Sequence, residues 1–298
     1  MAEVLELDAT LAGGYAEEAA AWAAEFADGT VRSVIDLGAG TGVGTLALAR
    51  QFPEAKLTAV DLSPMMLRRL RDTMERAGVG SGAGVRLRTV EADLDAEWAG
   101  LPELAESGTD LAWASSSLHH VQDPDRVLRR VLRTLRPGGL LMVLELDDLP
   151  RFLGRAGQEL AALEERCHRV VGRLGWNSHP DWSDALRGAG FRLEGRRTLA
   201  VEAGGEDGSP SPELGRFARL FLTRIRAALE PGTGGESLEQ GSLEQGGVEQ
   251  GSSGWDGLHA GDLAALDRLL GQGPRSLERL PGLSVSTRRT AWAARRPA

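Results

Sequence analysis

One cysteine, one lysine and one tyrosine stand in 298 residues: Cys167, Lys56 and Tyr15. A lone cysteine excludes an intrachain disulfide and a thiolate zinc cluster. With lysine almost absent, arginine supplies nearly all the positive charge. Beside abundant Ala and Gly, that reads as GC-rich coding of the bacterial kind and says little about a ligand. Basic charge is also in deficit, 34 residues against 43 acidic, for a formal charge of -9. A general binder of the phosphate backbone needs a basic face, so no nucleic-acid partner is expected. Arginines do gather between 126 and 136 and near the C-terminus, which leaves local basic patches open. No apolar run reaches the length of a membrane span, and no basic stretch followed by an apolar one opens the chain. No membrane partner is expected, and the cytoplasm is the expected location. An apolar content of 42% is ordinary for a chain that buries a full core.

What is present centres on Val34-Ile35-Asp36-Leu37-Gly38-Ala39-Gly40-Thr41-Gly42-Val43-Gly44. An apolar run ends in an acid, then glycines alternate with small residues, and Thr45–Arg50 reads as a helix. Strand, glycine turn and helix make a nucleotide-type site at the carboxyl end of a parallel strand. The G-x-G-x-x-G spacing of dinucleotide folds is broken, because its third glycine position falls on Val43. The acid-x-Gly-x-Gly-x-Gly pattern of Asp36, Gly38, Gly40 and Gly42 stands in its place. By itself that pattern is equally a tight turn with no ligand.

In chain order, residues 13–27 carry Tyr15, Trp22 and Phe26 at helical spacing. Strands are expected at Val31–Leu37, Lys56–Asp61, Val85–Val90, Thr109–Ser115 and Leu140–Leu146. Asp61 lies 19 positions after Gly42, close to the spacing at which an acid meets a ribose diol. Ser63-Pro64 caps a helix carrying Met65, Met66, Leu67 and Leu70. Asp123-Pro124 starts another, with Val127, Leu128, Val131 and Leu132 on one face, which Arg136-Pro137-Gly138-Gly139 is expected to end. Further on, Leu160–Leu174 forms an amphipathic helix with Cys167 on its apolar face, a buried hydrophobe in character. Phe191–Glu202 and Ser284–Ala294 read as the sixth and seventh strands. Leu214–Leu229 and Asp262–Leu270 between them are helical. Residues 231–254, rich in Gly, Ser, Glu and Gln, cannot offset their ordering entropy and are expected to form a flexible loop.

Asp36 to Gly42, Asp61-Leu62-Ser63-Pro64-Met65-Met66, Glu91-Ala92-Asp93-Leu94, Ser117-Leu118-His119-His120 and Leu135-Arg136-Pro137-Gly138-Gly139 together resemble the class I S-adenosylmethionine (SAM)-dependent methyltransferases. The similarity is to the small-molecule branch of ubiquinone and menaquinone type, and it covers about residues 31–146. DNA amino-methyltransferases show an Asn/Asp-Pro-Pro-aromatic motif after strand four, which this chain lacks.

The resemblance implies an α/β, Rossmann-like, doubly wound seven-stranded sheet of order 3-2-1-4-5-7-6, with the last strand antiparallel and a helical insertion before it. It implies an N-terminal helical segment (1–30), a SAM-binding core (31–202), a cap (203–282) and a closing strand (283–298). SAM is the implied cofactor, held by Asp36, Gly38, Ala39, Gly40, Gly42, Asp61, Leu62, Met66, Asp93, Leu94, Ser115, Ser116 and Tyr15. Asp36 would hold the methionine ammonium through water. Asp93 would meet the adenine amino group, with Glu91 and Asp95 as close rivals. His119 and His120, beside the implied methyl position, are candidate bases, since histidine titrates near neutral pH. Trp176, His179 and Trp182 are candidate walls for a planar or lipophilic acceptor, with Trp182 equally suited to anchor its helix in the core. Asp147-Asp148 invites a metal reading, but adjacent acids point apart and no third ligand stands at suggestive spacing, so no metal is expected. The expected partner is a small-molecule acceptor, methylated on oxygen or nitrogen. A non-catalytic SAM binder, an NAD-dependent oxidoreductase and an RNA methyltransferase are the rival readings, and a homodimer is left open.

Overall fold

The computed structural model describes residues 2–11, 14–27, 29–79, 86–96, 98, 108–177, 179–204, 210–230 and 257–298. The loop expected at 231–254 lies outside them, as does most of the glycine-rich loop at 78–84. Seven strands make one sheet: β1 (Ser33–Leu37), β2 (Lys56–Asp61), β3 (Arg86–Glu91), β4 (Thr109–Ser115), β5 (Leu135–Leu146), β6 (Arg192–Gly204) and β7 (Ser284–Arg295). Their order is β3-β2-β1-β4-β5-β7-β6. The first five run parallel, and β7 lies antiparallel between β5 and β6. Fold class and strand order are those implied above.

Nine helices are described: α1 (Ala2–Leu11), α2 (Tyr15–Glu25), α3 (Val43–Gln51), α4 (Pro64–Arg76), α5 (Pro124–Thr134), α6 (Gln158–Arg173), α7 (Trp182–Gly188), α8 (Pro212–Ala228) and α9 (Asp262–Leu270). Local chemistry sets several starts. Ser63, Asp123 and Ser211 each accept a hydrogen bond from the amide three residues on, with proline at the first helical position.

The inner strands are apolar on both faces, as parallel strands covered on two sides must be. On one face Trp22 and Ala23 of α2, Leu48 of α3 and Leu70 of α4 pack over Val34, Leu111, Trp113 and Met142. On the other, Val127 and Val131 of α5 and Leu186 of α7 cover Ile35, Leu37, Val143 and Trp292. A third cluster joins Leu163 and Val170 of α6 to Phe217 and Ile225 of α8 and Leu266 of α9, beside Val285 of β7. Its α8 and α9 lie between β6 and β7, where a helical insertion before the last strand was expected. None of the described helices is long and apolar enough to cross a membrane.

Two elements differ from expectation. The N-terminal segment holds two helices where one was read. Gly14, at φ 105°, separates them, and Val4, Leu7 and Leu11 of α1 pack on the insertion. Strand β5 begins at Leu135, so Arg136-Pro137-Gly138-Gly139 belongs to the strand instead of ending a helix before it. The register shifts opposite, between Thr109 and Leu111. A Cβ at Gly139 would come within 3.0 Å of the Thr109 carbonyl oxygen, so glycine permits this close, bulged approach.

Candidate functional site

Gly38, Gly40 and Gly42 have φ of 70°, 53° and 91°, the left-handed region that glycine alone adopts without strain. They differ in what faces them. A Cβ at Gly38 would collide with Ser117, and one at Gly42 would come within 2.8 Å of Leu70 Cγ. At Gly40 the nearest atom would be Leu5 Cδ1 of α1, at 3.7 Å. Gly38 and Gly42 thus let protein segments close on one another, and Gly40 is the position with room above its backbone. The turn is pinned to β2. The amides of Gly38 and Ala39 donate to the Val60 carbonyl at 2.8 and 2.9 Å. Asp61 Oδ2 accepts from the Gly40 amide at 2.8 Å, and its Oδ1 accepts from the Ser63 amide at 2.8 Å. The N-terminus of α3 follows the turn and favours a partly negative ligand group.

Asp36 is buried, and its Oδ2 accepts from Thr45 Oγ1 at 2.6 Å. Burial pushes its carboxyl up to about 7; the Thr45 hydroxyl opposes that shift and Asp61 reinforces it. A buried acid held near neutrality suits a cationic ligand group, which would favour its charged form. Leu62 stands 59% exposed next to Asp61, and Met66 is half-buried. Of the three rival acids after β3, Asp95 accepts from the Gln122 and Asp123 amides at 2.8 and 3.2 Å. It is occupied holding the start of α5. Asp93 is exposed and receives the Asp95 amide on one oxygen, Glu91 is exposed at the end of β3, and Leu94 is buried. Ser115 is half-buried. Ser116 has φ 50°, an uncommon conformation for a residue with a side chain, and donates its amide to the Leu144 carbonyl at 2.8 Å. Tyr15, half-buried, lies 3.9 Å beneath the Arg289 guanidinium, and burial pushes its phenol up to about 12.

After β4 the chain turns through Leu118–His120, a single 3-10 turn. His119 Nδ1 lies 2.7 Å from Glu145 Oε2, and Glu145 is fully buried on β5. An ionised carboxylate only accepts, so Nδ1 carries the hydrogen and the lone pair falls on Nε2. Glu145 Oε1 finds no hydrogen-bond partner among the described residues. The exposed His120 ring lies 3.9 Å from that of His119, tilted 47° to it, and His179 lies 6.1 Å from His119. His179 Nε2 is 2.5 Å from the Leu146 carbonyl oxygen and its Nδ1 3.1 Å from that of Pro180; both oxygens accept, so a neutral ring donates to one of them only. Sequence reasoning missed Glu145. Its signal was a lone charge in the apolar run Leu140-Leu141-Met142-Val143-Leu144-Glu145-Leu146.

Trp182 is not a pocket wall. It is 1% exposed and packs in the core with Leu186 and Trp292, because α7 turns its first residue onto the sheet. Trp176 is half-buried under the Arg224 guanidinium at 5.7 Å. Cys167 is buried, and desolvation pushes its thiol up to about 12, away from nucleophilic chemistry. Asp147 accepts from Thr290 at 2.6 Å and Asp148 from Arg288 at 2.6 Å, so the two acids serve different residues of β7.

Residues 34–139 match a family model described as a methyltransferase domain. The chain is 37% identical over 162 residues to a malonyl-(acyl-carrier protein) O-methyltransferase of Laribacter hongkongensis, across 53% of this chain and 50% of that protein. It is 33% identical over 132 residues to a trans-aconitate 2-methyltransferase of Delftia acidovorans, across 44% of each. The chain thus spans half or less of the length of these two curated relatives. A solved Bacillus halodurans protein, named as a candidate methyltransferase, shares the fold at a TM-score of 0.52 and 15% identity, over 94% of this chain and 99% of that one. Strand order, glycine turn and matched model agree: residues 34–139 carry a methyltransferase domain, set in a Rossmann-like sheet.

Proposed function

We propose that the chain transfers the methyl group of SAM to a small-molecule acceptor at oxygen or nitrogen. The observation that carries this reading is a contact. Gly38 of the glycine turn packs directly on Ser117, two residues before His119, so the cofactor turn and the histidine pair share one edge of the sheet. Bound there, SAM supplies a methyl group already activated as part of a sulfonium. Asp61 and the turn it clamps would hold the ribose side, Gly40 and Leu62 would lie against the nucleoside, and Asp93 would meet the adenine. Asp36, with Thr45, would face the methionine ammonium. Residues 31–202 and 283–298 are taken as the core, and 203–282 as the cap over the acceptor.

His119 would act as the base toward an acceptor hydroxyl or amine. Glu145 fixes its tautomer so that Nε2 can take the proton, and the buried carboxylate stabilises the imidazolium that forms. Names of the relatives, one acting on a malonyl thioester and one on trans-aconitate, point to an acceptor that carries a carboxyl group. An acceptor screen detecting S-adenosylhomocysteine release tests the reading. Turnover on an oxygen or nitrogen acceptor, lost in His119→Ala, supports it. Tight SAM binding without turnover on any acceptor favours the non-catalytic alternative.

A further inference from the structure

Arg289 is buried at 2% exposure on β7, opposite the carboxyl end of β5. Its Cα pairs with that of Leu146, one residue past Glu145. A guanidinium is always charged, and burying it demands partners for every N–H. One nitrogen donates to Thr287 Oγ1 at 2.9 Å and another to Asp8 Oδ2 of α1 at 2.5 Å. The Tyr15 ring backs the guanidinium plane at 3.9 Å. Arg289 Nε and Asp8 Oδ1, both buried, find no partner among the described residues.

A fully made pair of the same groups stands elsewhere in the chain. Arg166 and Asp262 meet as a fork, Nε and a terminal nitrogen each 2.8 Å from a separate carboxylate oxygen. The fork satisfies both groups and is the strong geometry for this pair. Asp8 and Arg289 use one arm each and leave the fork unmade. The carboxylate rides on α1, which also brings Leu5 over Gly40 and ties Glu6 to Arg69 of α4 at 2.8 Å.

We propose that Arg289 is the seat of a ligand carboxylate, and that Asp8 fills that seat when the ligand is absent. A ligand carboxylate would enter bidentately, taking Nε and the nitrogen now held by Asp8. The exchange is even in charge, one carboxylate for another, so no uncompensated guanidinium is left behind. Tyr15 keeps the plane aligned throughout. The shared chemistry is a carboxylate; the acceptor and the methionine end of SAM are its two sources. The site rests on the methyltransferase reading for its ligand, and on the Asp8–Arg289 geometry for its existence.

Calorimetric titrations of the full chain, of Arg289→Met and of Asp8→Asn test it, with SAM, methylthioadenosine (which lacks the carboxylate) and glutarate in the presence of S-adenosylhomocysteine as probes. Asp8→Asn keeps the volume and removes the competing charge. If the acceptor supplies the group, Arg289→Met weakens glutarate about tenfold or more and leaves SAM unchanged, and Asp8→Asn tightens glutarate. If SAM supplies it, Arg289→Met weakens SAM by that factor and leaves methylthioadenosine unchanged, and Asp8→Asn tightens SAM. Should Arg289→Met not fold, the Asp8→Asn titrations decide alone. The proposal is overturned when every affinity stays within twofold across the variants. Failure of the wild-type chain to bind SAM and methylthioadenosine alike would instead sink the methyltransferase reading.

Discussion

Asp61 and Glu145 are both acids at the carboxyl ends of parallel strands, β2 and β5, and they are used in opposite ways. Asp61 gives each oxygen to a backbone amide, of Gly40 and of Ser63. Its position is fixed by main chain, and so is that of the turn it clamps. Glu145 gives one oxygen to a side chain, His119, and its other oxygen meets none of the described groups. The first acid shapes a surface; the second orients a ring. On the proposed reading, the difference would separate a cofactor half, where backbone geometry does the holding, from an acceptor half, where side chains do the chemistry.

Mutations in the two halves should therefore fail in different measurements. The largest effect is expected where a residue belongs to neither half. Trp182→Ala removes a fully buried indole and should lower unfolding free energy by about 3–5 kcal/mol in denaturant titration. Trp182→Phe should recover most of it, whereas a pocket role would leave stability intact and change acceptor KM. Next, His119→Ala should reduce turnover by about a hundredfold or more with SAM affinity unaltered, the mark of a base on the acceptor side. A parallel loss of SAM affinity would erase the division between halves. Asp61→Asn should show the reverse, since one amide must face an NH2 group. SAM affinity drops by about tenfold to a hundredfold, and turnover at saturating SAM is kept.

The smallest effect is a proton. With its carboxyl pushed up to about 7, Asp36 is largely protonated below that pH in the free protein. An ammonium placed beside it favours the carboxylate, so SAM binding should release a proton below about pH 7, and affinity should rise with pH until that point and then level. The same raised pKa means that folding stability attributable to Asp36 is greatest at low pH. It declines as pH climbs from the ordinary carboxylate range, about 4, toward 7. Titrations in buffers of different ionisation enthalpy read the proton directly, and Asp36→Asn should abolish it.

The glycine turn and its supports were legible because their signals are local. The glycine turn, the Ser63 cap and the acid ending β2 each act within a few residues, and all stand where the chain places them. Glu145 with His119, 26 positions apart, and Asp8 with Arg289, 281 apart, are meetings that only the assembled sheet creates. Helix α1 escaped notice because its burial comes from distant α8 and from the glycine turn, with little amphipathic pattern of its own. Trp182 was left between a pocket wall and a core anchor for a related reason. Its neighbours in sequence are polar and loop-like, and the core that takes it in is completed by Trp292 of distant β7.

Direct titration of the chain with SAM, and in parallel with NAD, tests most simply whether the glycine turn and Asp61 hold a methyl donor. Saturable one-to-one binding of SAM, weakened in Asp61→Asn and matched by no heat from NAD, is the expected result. Binding of NAD in place of SAM would contradict it and return the turn to the dinucleotide folds whose third glycine it lacks.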